Sequence, residues 1–277
     1  AGGTLTVEDE VIVETDAVLE LEGVAGATGT TSGNQTTFDS SLTANLIQND
    51  DSAINSGEIT IERYVYVRTQ DYVYWSSPIE NWNTSSIYST SNIYEWIPTV
   101  YVDATTQFGN WSSATGTIMD PGKGYIVRGP SGNGNSTILG TWNSASFTGI
   151  PHNGIYQPTV SRGTFTSGTS NGNNNGDPGD EDATDEDDNW NLLGNPYPSG
   201  LSADDFLFEN AVANSRIDGV VYLWQHGLQI RRGGSPFFGD FVFTYDEADY
   251  LAYNYTGASN GFNGVIGSGQ GFFVFMD

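Results

Sequence analysis

The chain has 277 residues, no cysteine, 34 acids against 8 bases and a formal charge of −26. No disulfide framework, zinc–thiolate site or thiol nucleophile can be built from it. So acidic a chain is repelled by nucleic-acid phosphates and by anionic membrane surfaces, and suits cations, cationic partners or salty surroundings.

The length allows one large all-β domain or two to three smaller ones, and the abundance of Gly, Asn, Ser, Thr and aromatics favours strands and turns over helices. No apolar stretch reaches the length of a membrane span, so no direct membrane insertion is expected. Ala1-Gly2-Gly3, without an initiator Met, suggests a piece of a longer polypeptide.

In chain order, residues 1–60 hold short alternating strands at Thr4–Val7, Val11–Glu14 and Ala17–Leu21. Their spacing resembles the rungs of a β-solenoid or a small meander. Residues 61–165 form a first β-lobe, in which Arg63 to Trp75 alternates aromatic and polar residues as a half-buried strand or hairpin does. Ile138 to Phe147 and Gly154 to Val160 are expected as further strands, with a turn at 147–154. Residues 166–189 read TSGTSNGNNNGDPGDEDATDEDDN, an acidic linker or a loop ordered by ions. Residues 190–277 form a second β-lobe, where Ser202 is placed to cap a short helix.

The two lobes repeat each other. YVYWSSP, NIYEW and GKGYIV in the first are followed, in the same order, by NWNLLGNPYP, VVYLW and GQGFFV in the second. Pro78 aligns with Pro196, Tyr94 with Tyr222, Trp96 with Trp224, and Gly124-Tyr125 with Gly271-Phe272. The interval from Pro to Trp grows from 18 to 28 residues and that from Trp to Gly from 28 to 47, so the second lobe carries longer loops. The expected fold is all-β: a short solenoid-like N-terminal region followed by two related antiparallel β-sandwich-like lobes, packed as one body or separately.

The segments ITIERYV, YVYWSSPIE, IYEW, GKGYIVRGP, FTGIPHNG, WNLLGNPYPS, VYLWQH and GQGFFV together resemble a β-rich region found near the C-terminus of large secreted proteins of flavobacteria and other Bacteroidota. The resemblance covers roughly residues 58–277. It implies export by type IX secretion and an extracellular or outer-surface location, as in adhesins and polysaccharide-active enzymes. It carries no activity onto any residue here. The sorting domain that follows this region in the family is not part of the sequence.

Asp177, Asp180, Asp182, Asp185, Asp187 and Asp188 are candidate calcium ligands. Calcium takes six to eight oxygens, and binding it would relieve the repulsion among crowded carboxylates. The other reading is a solvated acidic linker. Trp82, Trp111 and Trp142 stand in polar surroundings and are candidates for stacking on sugar rings. Asp51-Ser52-Ala53 resembles a short O-glycosylation sequon of Bacteroidota, which makes Ser52 a candidate modification site. His152 and His226 are isolated in sequence and read as structural. No nucleophile–base or metal constellation stands out, so an enzyme is not expected. The expected function is adhesion or structural spacing, with an extracellular protein or glycan, or the rest of a larger polypeptide, as partner. A carbohydrate-binding module or a filament subunit are the alternatives.

Overall fold

A computed structural model describes residues 3–23, 44–67, 71–88, 92–100, 109–130, 141–164, 188–224, 250–258 and 262–277. Three short strands, β1 (Thr4–Val7), β2 (Glu20–Leu21) and β3 (Asn45–Gln48), open the chain. β1 pairs with β3 in parallel, Ile12 bridges Ser56 in parallel, and β2 pairs in parallel with the start of β4 (Ile59–Val67). Residues 3–22 and 44–61 are therefore two stacked coils. The short segments are successive sides of one coil rather than separate rungs, and described residues 44–61 form the coil paired with it. Val11, Leu21, Leu46, Ile59 and Ile61 fill the coil interior and join the core of the first repeat.

β4 continues past the coils and pairs along its whole length with β9 (Thr141–Gly149). It alternates buried and half-buried residues, the period-2 pattern expected of a strand with one face on a core. The boundary drawn at residue 60 falls inside this strand. Residues 154–160 form no strand, and a bridge from Pro151 to Ile79 ends the outer sheet instead.

The first repeat supplies β5 (Tyr72–Trp75), β6 (Ile93–Ile97), β7 (Asn110–Ser113) and β8 (Tyr125–Arg128) in the spatial order β5-β8-β6-β7. The second supplies β10 (Trp190–Gly194), β12 (Val221–Trp224), β13 (Tyr250–Asn254), the two-residue β14 (Gly257–Ala258) and β16 (Gly271–Phe275) in the order β10-β16-β12-β13-β14. The topology is the same, with β14 added at one edge. Register agrees as well. Trp75 faces Tyr125 as Leu193 faces Phe272, Tyr94 faces Ile126 as Tyr222 faces Phe273, and Trp96 faces Trp111 as Trp224 faces Tyr250. Duplication, read from the order of motifs, is thus seen in strand order and in residue pairing.

The sheets stack in layers. The outer sheet β2-β4-β9 covers one face of the first repeat through a core that includes Trp75, Ile79, Val127 and Phe147. The other face meets the second repeat through Tyr74, Ile126, Leu192 and Phe273, ringed by Tyr72, Tyr94, Trp96, Trp111, Trp190, Tyr222, Trp224 and Tyr250. Beyond the second repeat lie α1 (Ala203–Leu207) and the ribbon β11 (Leu201–Ser202) with β15 (Val265–Ile266), over a core of Leu193, Leu223, Phe272 and Val274. Both repeat sheets are covered on both faces, which is why GYIV and GFFV read as continuous apolar runs. Ser202 caps α1 as its sequence suggests, its Oγ accepting from the Asp205 amide at 3.2 Å.

Candidate functional site

The backbones of the two repeats meet in a pair of crossings. Trp75, the last residue of β5, bridges Gln270 just before β16, and Leu193 near the end of β10 bridges Lys123, two residues before β8. Ser76 N donates to Gly269 O at 2.8 Å, and its equivalent Gly194 N donates to Gly122 O at 2.9 Å. The two Gly-x-Gly motifs make this possible. Gly122 and Gly269 turn the chain at φ +79° and +62°, where glycine has no steric penalty. Gly124 and Gly271 let the backbones close up: a Cβ on Gly124 would lie 2.5 Å from Leu193 O, and one on Gly271 2.8 Å from Tyr74 Cβ.

The layer between the sheets is aromatic. Trp96 with Trp111 and its equivalent Trp224 with Tyr250 are edge-to-face pairs at 5.1 and 4.9 Å. Across the layer Tyr74 lies 5.5 Å from Phe273 and 5.9 Å from Trp224, and the Tyr74 and Tyr250 hydroxyls bond at 2.6 Å. Trp96 Nε1 donates to Trp190 O at 2.8 Å, so the largest ring satisfies its one donor on the other repeat.

A third element ties these parts together. His152 N donates to Pro78 O, and His152 Nδ1 lies 3.1 Å from Pro196 O, so one residue grips the equivalent proline turns of both repeats. Pro196 O can only accept, which fixes the proton on Nδ1. Burial depresses the His152 pKa, while hydrogen bonds to the backbone at Pro196 and Ser77 oppose the shift. Asn153 Nδ2 donates to Asp50 O and Ala53 O at 2.8 and 3.0 Å, and Tyr197 Oη donates to Gly154 O at 2.8 Å. Residues 151–154 therefore join the second coil to both repeats. Leu46 N to Pro198 O and Gly200 N to Asn45 Oδ1 add two direct bonds between that coil and the second repeat. Asn195 locks its own turn, with Nδ2 donating to Ser199 O, Ile266 O and Gly267 O.

Arg63 was not legible from sequence. Strand alternation sends it inward, where it lies 4.3 Å from the centre of the Trp75 ring and donates to Gly269 O at the crossing. Burial pushes its pKa down to about 9. The only signal was a charge at an inward position of an alternating strand.

The candidate residues named from sequence are not gathered. Trp82 is half-buried on the first core, 5.0 Å from Phe147. Trp111 lies in β7, within the aromatic layer, and Trp142 lies in β9 opposite Tyr66, 5.5 Å away on the outer face of its sheet. The Asn- and Ser-rich surroundings of Trp111 belong to an edge strand, not a loop. Asp177, Asp180, Asp182, Asp185 and Asp187 lie outside the described residues. Asp188 is buried and ion-paired, with Oδ1 2.8 Å from Arg162 Nε. Among the described residues no three acids or histidines cluster as metal ligands. Ser52 is exposed on a turn, and its Oγ donates to Asp50 Oδ1 at 2.6 Å.

Fold and junction define an all-β protein in which a two-coil solenoid is fused to an interlocked pair of repeated sheets. The chain belongs to the family described as a domain of unknown function (DUF8693), whose model matches residues 1–277. No curated protein and no solved structure matches it.

Proposed function

We propose that this chain is a non-catalytic spacer module of a secreted, surface-displayed protein, which carries adhesive parts away from the cell. The observation that carries the reading is the junction at residues 151–154 together with the two backbone crossings. They bind the coils and both repeats into one continuous hydrogen-bonded body. The motifs behind the resemblance to secreted Bacteroidota proteins are spent on this construction: NPYP forms the turn held by His152 and Asn195, VYLW is β12, and GQGFFV forms a crossing and β16. A net charge of −26 keeps such a body soluble and apart from its neighbours. Calcium bound by the acidic segment 166–189 would add stiffness.

Surface display is tested by antibody labelling of intact cells that produce the parent protein, followed by protease shaving. Labelling before lysis, removed by shaving, is expected. A signal that appears only after lysis contradicts the reading.

A further inference from the structure

Alternation gives the sheet β2-β4-β9 two unlike faces. Ile61 and Val65 of β4, with Ala145 and Phe147 of β9, point into the first core. The residues between them point outward, and register sets Glu62 opposite Ser146, Tyr64 opposite Ser144 and Tyr66 opposite Trp142. Ser144 and Ser146 are exposed, while Glu62 and the three rings are half-buried. The outer face is graded along the strands. Its acidic end holds Glu62 and, on β2, the exposed Glu20 beside Thr60. Its other end is aromatic. From Thr60 to Tyr66 the strip runs roughly 20 Å, at about 3.4 Å per residue. Its groups are held by one another. Tyr66 and Trp142 meet edge to face at 5.5 Å, and the Thr60 and Thr148 hydroxyls lie 3.0 Å apart. Gly23 props the Tyr64 ring, since a Cβ there would come within 2.9 Å of Tyr64 Cδ2. Among the described outward positions of these three strands none is basic.

We propose that this face binds a saccharide chain whose sugars carry free amino groups. The chemistry of the strip selects that class. Sugar C–H faces lie on the rings of Tyr64, Tyr66 and Trp142, and sugar hydroxyls bond Ser144 and Ser146. The ammonium groups pair with Glu62 and Glu20 and are drawn to the faces of the rings. Charge removes the other occupants. A nucleic acid stacks on aromatic rings too, but its phosphates are repelled by these acids and by the net charge of −26. A second molecule of this chain would set acid against acid. An apolar protein surface would leave the serine hydroxyls without partners, at a cost for each. Rings already fixed by their neighbours lose little freedom when a ligand arrives. The face adds a binding activity to the spacer reading and stands without it.

The probe is a glucosamine oligomer with a fluorophore at its reducing end, titrated with the full chain by anisotropy. Its N-acetylated counterpart and an oligolysine of the same charge are run beside it. Saturable binding of the glucosamine oligomer is expected, with weaker binding of the N-acetylated form. Trp142→Ala should weaken glucosamine binding about threefold to tenfold and leave oligolysine binding unchanged. Glu62→Gln keeps the shape of the side chain, and so the fold, and should weaken glucosamine binding about twofold to fivefold. Melting temperatures of both variants report whether the sheet is intact. No binding up to ~1 mM overturns the proposal. So does equal binding of the N-acetylated oligomer, because charge would then not select the ligand. Oligolysine bound as tightly as the sugar, with neither affected by Trp142→Ala or Glu62→Gln, also overturns it, because any part of the acidic surface would then serve.

Discussion

At the scale of single residues, the protein is decided by a few positions that admit one side chain. Gly124 and Gly271 are equivalent, and each is closed in by the other repeat. Gly124→Ala or Gly271→Ala should each cost roughly 1–3 kcal/mol, because the backbone must part to admit the methyl group. Urea midpoints check this, and an unchanged midpoint would mean the crossing is loose. His152 gives a pH signature. Its folded pKa is depressed by burial, so the unfolded chain takes up a proton near pH 6.5 while the folded chain resists. Stability contributed by His152 is thus intact above about pH 6.5 and is lost as pH falls below it. His152→Gln should flatten the fall in urea midpoint between about pH 7 and 5, and a parallel curve would contradict the assignment. The buried tyrosines act at the other end. Burial raises Tyr125 and Tyr222 to about 12 and Tyr88 higher still, so the unfolded chain ionises first as pH rises past 10. Stability should fall across that range, and Tyr125→Phe should lessen the fall.

At the scale of elements, strand order within each repeat repays close reading of the sequence. The matching of Tyr-x-Trp and Gly-x-Gly-aromatic motifs was visible, and the structure carries it down to equivalent residue pairs. Helix α1 and its Ser202 cap were visible too, because capping is local chemistry. What the sequence hid is long-range. The two coils are separated by residues 24–43, so their parallel pairing has no local signature. Trp111 looked like a loop residue because Asn and Ser surround it, but those polar neighbours belong to the edge strand β7. Arg63 carried no assigned role in the sequence, and strand alternation places it on the inward face of β4. The aromatic layer predicts an element-level result. Phe273 touches rings from both repeats, and Phe273→Ala should cost about 3–5 kcal/mol. A calorimetric scan should then show one transition at lower temperature, since both sheets lose the same packing partner. Splitting into two transitions would mean the sheets fold apart.

At the scale of the whole molecule, the chain reads as one body built from a duplicated unit. Each half of the duplication completes the other, through equivalent crossings, a shared aromatic layer and the strap at 151–154. The acidic segment offers a separate test. If it holds calcium, thermal unfolding at fixed ionic strength should shift up by several degrees with calcium and return with chelator. No shift would make it a solvated linker and remove calcium from the account. The claim on which the rest depends is that the two repeats are a single mechanical unit. Stretching single molecules between their ends tests it directly. The account predicts that residues 71–277 release together, in one step of roughly 70 nm of contour length. Two separate steps, one for each repeat at its own force, would contradict it.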